Sequence, residues 1–212
     1  MTRSMSHAAR FVAACVLCLA AVPAARANLV TNGGFESEAS TPAIPPPGWT
    51  ASGTGMAVDK FFPNSGSYDV AFTALSSDPS PGILSQLIAT TVGQSYTLSF
   101  WLLDQGLVTG NDAFNVGFGA FSTSVSGAVA AGAYTNVTLT IAGSNVTSTS
   151  TTLSFQGLLD PTASGGPFNL DDVSLVAVSS AVPEPPAAAL FGVGAKAGSL
   201  LVAAHRATIM RR

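Results

Sequence analysis

From Tyr96 to Leu102 the chain alternates with a period of two: Tyr96, Leu98, Phe100 and Leu102 are apolar or aromatic, and Thr97, Ser99 and Trp101 lie between them. Successive side chains of a strand point to opposite faces, so the segment reads as a strand with one face in a core. The pattern recurs at Tyr68, Val70, Phe72 and Ala74, at Phe114, Val116 and Phe118, at Val137, Leu139 and Ile141, and at Leu153 and Phe155. Turn-forming groups separate these stretches, among them Pro63-Asn64-Ser65-Gly66, Val92-Gly93-Gln94, Thr109-Gly110-Asn111-Asp112, Gly143-Ser144-Asn145 and Ser164-Gly165-Gly166-Pro167. Between residues 28 and 181 no helical apolar period runs beyond about two turns. Eight or so short strands at this spacing predict an all-β domain built as an antiparallel sandwich.

The two ends read as targeting segments. Arg3 and Arg10 precede twelve apolar residues, FVAACVLCLAAV (11–22), and Ala25-Arg26-Ala27 places small residues where a signal peptidase reads them. Twelve residues fall short of the roughly 20 needed to span a bilayer, so residues 1–27 are expected to be a signal peptide rather than an anchor. Cleavage would leave Asn28 first and remove Cys15 and Cys18, the two cysteines of the chain, so the exported domain would use no disulfide.

At the other end VPEPP (182–186) is followed by AAALFGVGAKAGSLLVAA (187–204) and then by Arg206, Arg211 and Arg212. This order of motif, apolar stretch and basic tail resembles the PEP-CTERM sorting signal, which an exosortase-type membrane protease processes in bacteria that make exopolysaccharide. The resemblance implies that Val182, Pro183, Glu184 and Pro185 form the recognition element, that 187–204 is an apolar helix inserted transiently in the membrane, and that the product is directed to the cell envelope or the extracellular space. Eighteen helical residues reach ~27 Å against a ~30 Å hydrocarbon core. Lys196 at mid-span costs ~2.5–3.5 kcal/mol, about what the six best membrane residues return, so insertion is marginal.

Residues 28–181 then form one domain. NLVTNGGFES (28–37), Pro47-Gly48-Trp49, NSGSYDVAF (64–72), LSQLIATTVGQSYTLSFWL (84–102) and FNLDDVSLV (168–176) resemble the galactose-binding-like jelly roll of exported PEP-CTERM proteins and of several carbohydrate-binding modules. The resemblance implies that the first and last strands lie together, bringing Glu36 to Asp171 and Asp172, where related modules hold a structural Ca²⁺. The charge distribution is compatible with a hard cation. The domain carries ten acidic residues against one base, Lys60, a net charge of −9 that the whole-chain value of −3 hides. Such an acidic domain repels phosphate backbones, which excludes nucleic acid as a partner.

The domain has neither His nor Cys, which removes Ser-His-Asp and Cys-His catalysis and thiolate zinc sites. A pair of carboxylates acting as a glycosidase is the residual enzymatic reading, and the expectation is no enzyme. Saccharides are gripped by aromatic rings stacked on their C–H faces, with amides and carboxylates meeting hydroxyls. Trp101 and Tyr134 with Asn136, at positions that alternation turns away from the core, are candidates for that role, with Trp49 and Phe61-Phe62 as a loop-end alternative. The leading reading is a non-catalytic module that engages exopolysaccharide or another glycan. The other is a structural matrix or envelope protein whose domain only packs against neighbours.

Overall fold

The computed structural model describes residues 26–37, 43–106, 112–125, 129–162 and 166–179. The segments read as signal peptide up to residue 25 and as sorting signal lie outside these. Among the described residues no helix is long and apolar enough to cross a membrane.

Among the described residues ten strands form two five-stranded antiparallel sheets. The first holds β1 (Thr50–Ser52), β4 (Ile83–Ala89), β9 (Ser150–Leu158), β6 (Ala113–Phe118) and β7 (Phe121–Ser124), in that spatial order. The second holds β2 (Met56–Asp59), β3 (Asp69–Phe72), β10 (Phe168–Ala177), β5 (Tyr96–Asp104) and β8 (Thr135–Ile141). The chain changes sheet at most connections, the crossing pattern of a jelly roll.

The alternation read in the sequence decides which face each strand buries. Tyr96, Leu98, Phe100 and Leu102 of β5 are buried, as are Val70 and Phe72 of β3 and Leu153 and Phe155 of β9. Between the sheets Phe114 sits among four other rings, those of Phe72, Phe100, Phe155 and Phe168, at centroid distances of 5.4, 6.2, 6.1 and 5.4 Å.

The opening segment departs from expectation. Residues 28–37 form a strap of bends, not a strand, because Asn32 (φ 51°) and Phe35 (φ 57°) adopt left-handed backbone. The strap nonetheless lies along β10: the Leu29 amide donates to Leu175 O at 2.9 Å, the Leu175 amide donates to Asn28 Oδ1 at 2.9 Å, and the Val173 amide donates to Gly33 O at 2.8 Å. A Cβ at Gly33 would fall on the Val173 carbonyl, so the approach requires glycine.

Candidate functional site

In an antiparallel pair, residues directly opposite one another share a face. Trp101 of β5 lies opposite Asn136 of β8 on one side and Asp171 of β10 on the other. Ser99 faces Thr138, and Thr97 faces Thr140. The solvent side of the second sheet therefore carries a half-buried tryptophan flanked by an exposed amide and a field of hydroxyls.

Tyr134, just before β8, lies against the same face. Its hydroxyl donates to Phe62 O at 2.6 Å and stands 3.1 Å from Asp69 Oδ2. Asp69 lies opposite Asp59 across β2 and β3. Its Oδ2 accepts from Asn169 Nδ2 at 2.8 Å, and Asn169 Oδ1 accepts in turn from Gln105. Asp69 is fully buried and its Oδ1 meets no donor. Burial, with the hydrogen bond to Asp59 and that residue's charge, pushes its acid up to about 8, against the opposing pull of Asn169 and Tyr134. At neutral pH Asp69 is therefore mostly a carboxylic acid, and the Asp59 carboxylate beside it takes its proton in a hydrogen bond. That accounts for an oxygen without a donor. Burial and the neighbouring Asp69 also raise the Tyr134 hydroxyl above its ordinary value, so it stays a neutral hydrogen-bonded phenol.

The structure brings Glu36, Asp171 and Asp172 together on the loop at 64–68. Asp171 Oδ2 accepts from the amides of Asn64 (2.9 Å) and Ser65 (3.0 Å), and its Oδ1 from the Asp172 amide (2.7 Å). Asp172 accepts from Asn64 Nδ2 and from the Ser65 hydroxyl, both at 2.8 Å. Glu36 Oε1 accepts from the amides of Ser67 and Tyr68 at 2.8 and 2.9 Å. A β-bulge between Asp171 and Ser174, with Asp172 at φ 51°, turns the second carboxylate onto the loop. Burial pushes the Asp171 acid up to about 6, offset by the Ser65 amide and reinforced by the charge of Asp172.

These hydrogen bonds make the three carboxylates a clamp on the loop. Removing one jaw should loosen it: in Glu36→Ala, limited proteolysis is expected to cut within 64–68 faster than in the wild-type protein. Equal cutting would show that Glu36 is a solvated surface group.

Trp49 is a correction to the sequence reading. It is 6% exposed, packs on Phe35 at 5.6 Å and Phe155 at 6.2 Å, and donates its indole N–H to Asn32 O at 3.0 Å. A ring so enclosed offers no face to a ligand. Phe61 and Phe62 are 81% and 48% exposed, and the Phe62 carbonyl ties their loop to Tyr134. Asn115 lies on the solvent side of the other sheet, away from Trp101, with its amide 3.5 Å from Gln156 Oε1. An open recess of about 290 Å³ on that sheet is lined by Gly117, Ser148, Ser150, Thr152 and Ser154 among others, and it presents hydroxyls without an exposed ring.

No protein-family model matches the sequence, and no curated protein is significantly similar to it. Solved structures share its fold. Fisc, a Stig cyclase from Fischerella sp. TAU, is 18% identical with a TM-score of 0.53, the match covering 74% of this chain and 100% of that one. A putative sugar binding protein from Bacteroides thetaiotaomicron is 11% identical with a TM-score of 0.51, over 72% of this chain and 100% of that one. TmCBM61 in complex with β-1,4-galactotriose, one of several carbohydrate-binding modules among the matches, is 21% identical with a TM-score of 0.46, over 72% and 99%. The chain spans 21% of the bacteriophage CBA120 tailspike protein 4 domain, which it also matches. At these identities the likeness establishes the sandwich alone, and enzymes and binding proteins both use it.

Proposed function

We propose that this protein is an exported, non-catalytic module that binds a glycan, exopolysaccharide by the logic of its sorting signal, on the solvent side of its second sheet. The observation that carries the reading is the row Asn136–Trp101–Asp171, with Tyr134 against the same face. A partly exposed indole supplies the platform for a sugar's C–H face, and Asn136, Thr138 and Ser99 supply donors and acceptors for its hydroxyls. The fold shared with a protein described as sugar-binding agrees with this reading.

The acidic groups argue against catalysis. Asp69, Asp104 and Asp171, the carboxyls whose acids burial raises, are all fully buried. A glycosidase acid must reach the glycosidic oxygen, and none of these can.

Export rests on residues 1–27 and on the PEP-CTERM-like tail at 182–212 with its Val182-Pro183-Glu184-Pro185 motif. Signal peptidase and an exosortase-type protease are the implied processing partners.

The test is retention on a panel of immobilised polysaccharides. Wild-type protein is expected to be retained by at least one of them. Trp101→Ala is expected to weaken that binding tenfold or more, about 1.4 kcal/mol, the loss typical of a central aromatic anchor. Retention unchanged in Trp101→Ala would remove this face from the proposal, and release of reducing ends from a retained polysaccharide would overturn the non-catalytic assignment.

A further inference from the structure

The loop that follows β2 carries two consecutive phenylalanines in the open, Phe61 at 81% and Phe62 at 48% exposure. A single exposed apolar side chain is ordinary on a protein surface, but adjacent rings on a fixed backbone are not. The backbone beneath them is pinned at four points. The Phe61 amide donates to Asp59 Oδ1 at 3.0 Å, the Phe62 carbonyl accepts from the Tyr134 hydroxyl at 2.6 Å, and the Asn64 and Ser65 amides donate to Asp171 Oδ2 at 2.9 and 3.0 Å. Asp171 lies directly opposite Trp101 in the register of β10 and β5, a strand spacing of ~5 Å. Its side chain is fully buried where the loop caps it, so the loop stands as a wall on one side of the indole. On the other side lies Asn136, exposed on the edge strand β8.

A loop already fixed loses little conformational entropy when a ligand covers it, so burying these rings is not offset by ordering the chain. Their charge surroundings do not suit a lipid surface. Lys60, the one base between residues 28 and 181, sits with its ammonium 4.9 Å from the centre of the Tyr68 ring, and the domain as a whole carries −9. The row from Asn136 across Trp101 to the loop opens to solvent at both ends, at the edge strand on one side and at Phe61 on the other. We propose, resting on the glycan-binding reading of this face, that Phe61 and Phe62 form a second stacking platform beside Trp101, so that the site takes an internal stretch of an extended polysaccharide and not a monosaccharide or a chain end. Trp101 holds one part of the chain and the loop rings meet the C–H faces further along it. Tyr134 acts as a positioning residue, through the Phe62 carbonyl.

The full chain is titrated calorimetrically with oligosaccharides of increasing length, cut from the polysaccharide that retains it. Wild-type affinity is expected to climb about tenfold from the shortest fragment bound to the longer ones and then level off. The double substitution Phe61→Ala and Phe62→Ala should lose that climb and still bind the shortest fragment as wild type does, whereas Trp101→Ala weakens every length. Tyr134→Phe should lose part of the climb, because the Phe62 carbonyl loses its donor. Phe61→Leu keeps apolar bulk without a ring face and should lose most of the climb; Phe61→Tyr should keep it, and both substitutions fall on an exposed side chain that the fold does not need. An affinity indifferent to length, or a climb that survives in the double variant, overturns the second platform, and Trp101→Ala still weakening retention then leaves the glycan face itself in place. Equal weakening of every length in the double variant also overturns it, by merging the loop with the Trp101 subsite. A wild-type dimer that the double variant converts to monomer in sedimentation, with sugar affinity unchanged, gives the rings to a second copy of the chain. No retention of wild type by any polysaccharide removes the glycan face and the second platform together.

Discussion

Asp69→Asn is expected to flatten the pH dependence of stability and to leave the protein more stable than wild type at pH 8. The Asp69 acid stands at about 8 in the folded chain against 3.8 for an unperturbed side chain. Between those values the unfolded state binds fewer protons than the folded one, so stability falls as pH rises. The contribution is complete below about pH 4 and is lost by about pH 8. A gap of four units bounds it at ~5 kcal/mol, or ~10 °C or more in melting temperature for a domain of this size. Asp171, at about 6, adds a smaller loss of the same sign below pH 6. Asparagine reproduces the protonated acid: its carbonyl accepts from Asn169, and its amide donates to Asp59. Melting curves at pH 5 and pH 8 should therefore diverge for wild type and nearly coincide for the variant. A wild-type protein as stable at pH 8 as at pH 5 would mean that Asp69 is ionised and that the Asp59–Asp69 proton does not exist.

Phe114→Ala should come close to unfolding the domain. Phe114 is fully buried and its ring touches four others, two edge-on at 5.4 Å, which join β3, β5, β9 and β10. Removing it leaves a cavity that facing sheets cannot close, at a cost of ~3–5 kcal/mol. Domains of this kind hold ~5–15 kcal/mol in total, so about a fifth of the stability at the least, and most of it at the lower end of that range, goes with one ring. Urea unfolding measures it. A loss under ~1 kcal/mol would mean that the sheets collapse onto the gap and that the five rings are not the keystone described.

Five strands were legible in the sequence because each keeps its apolar residues on one face: β3, β5, β6, β8 and β9. Three were not, for a common reason. β1, β2 and β7 are three or four residues long and mostly part-buried or exposed, so they carry too few apolar positions to show a period. β4 was hidden differently: Leu84 and Ile88 point inward, while Ile83 and Leu87 are 37% and 69% exposed on the outside, which erases the alternation. The strap at 28–37 reads as a strand only if the left-handed turns at Asn32 and Phe35 are ignored.

The candidate site was legible where register follows from alternation and opaque elsewhere. Trp101 and Asn136 share a face because their strands do. The hold on Tyr134 depends on Asp69, 65 residues away, and on a carbonyl 72 residues away, contacts that no local pattern encodes. Asp59, Asp69 and Asn169 escaped notice because polar residues on the outward positions of strands ordinarily meet water, and only the fold places a loop and a tyrosine over them. Trp49, beside Pro47 and Gly48, suggested an open loop tip; Gln86 instead fixes that loop inward through Gly48 O and Thr31 O, both at 2.9 Å.

Which surface meets a saccharide is settled by mapping amide chemical shifts while an oligosaccharide of the retained polysaccharide is titrated in. Perturbations should gather on Thr97, Ser99, Trp101, Asn136, Thr138 and the amides around Tyr134, with the hydroxyl-lined recess of the opposite sheet silent. Shifts confined to Gly117, Thr152 and Ser154, or none at saturating sugar, would contradict the assignment.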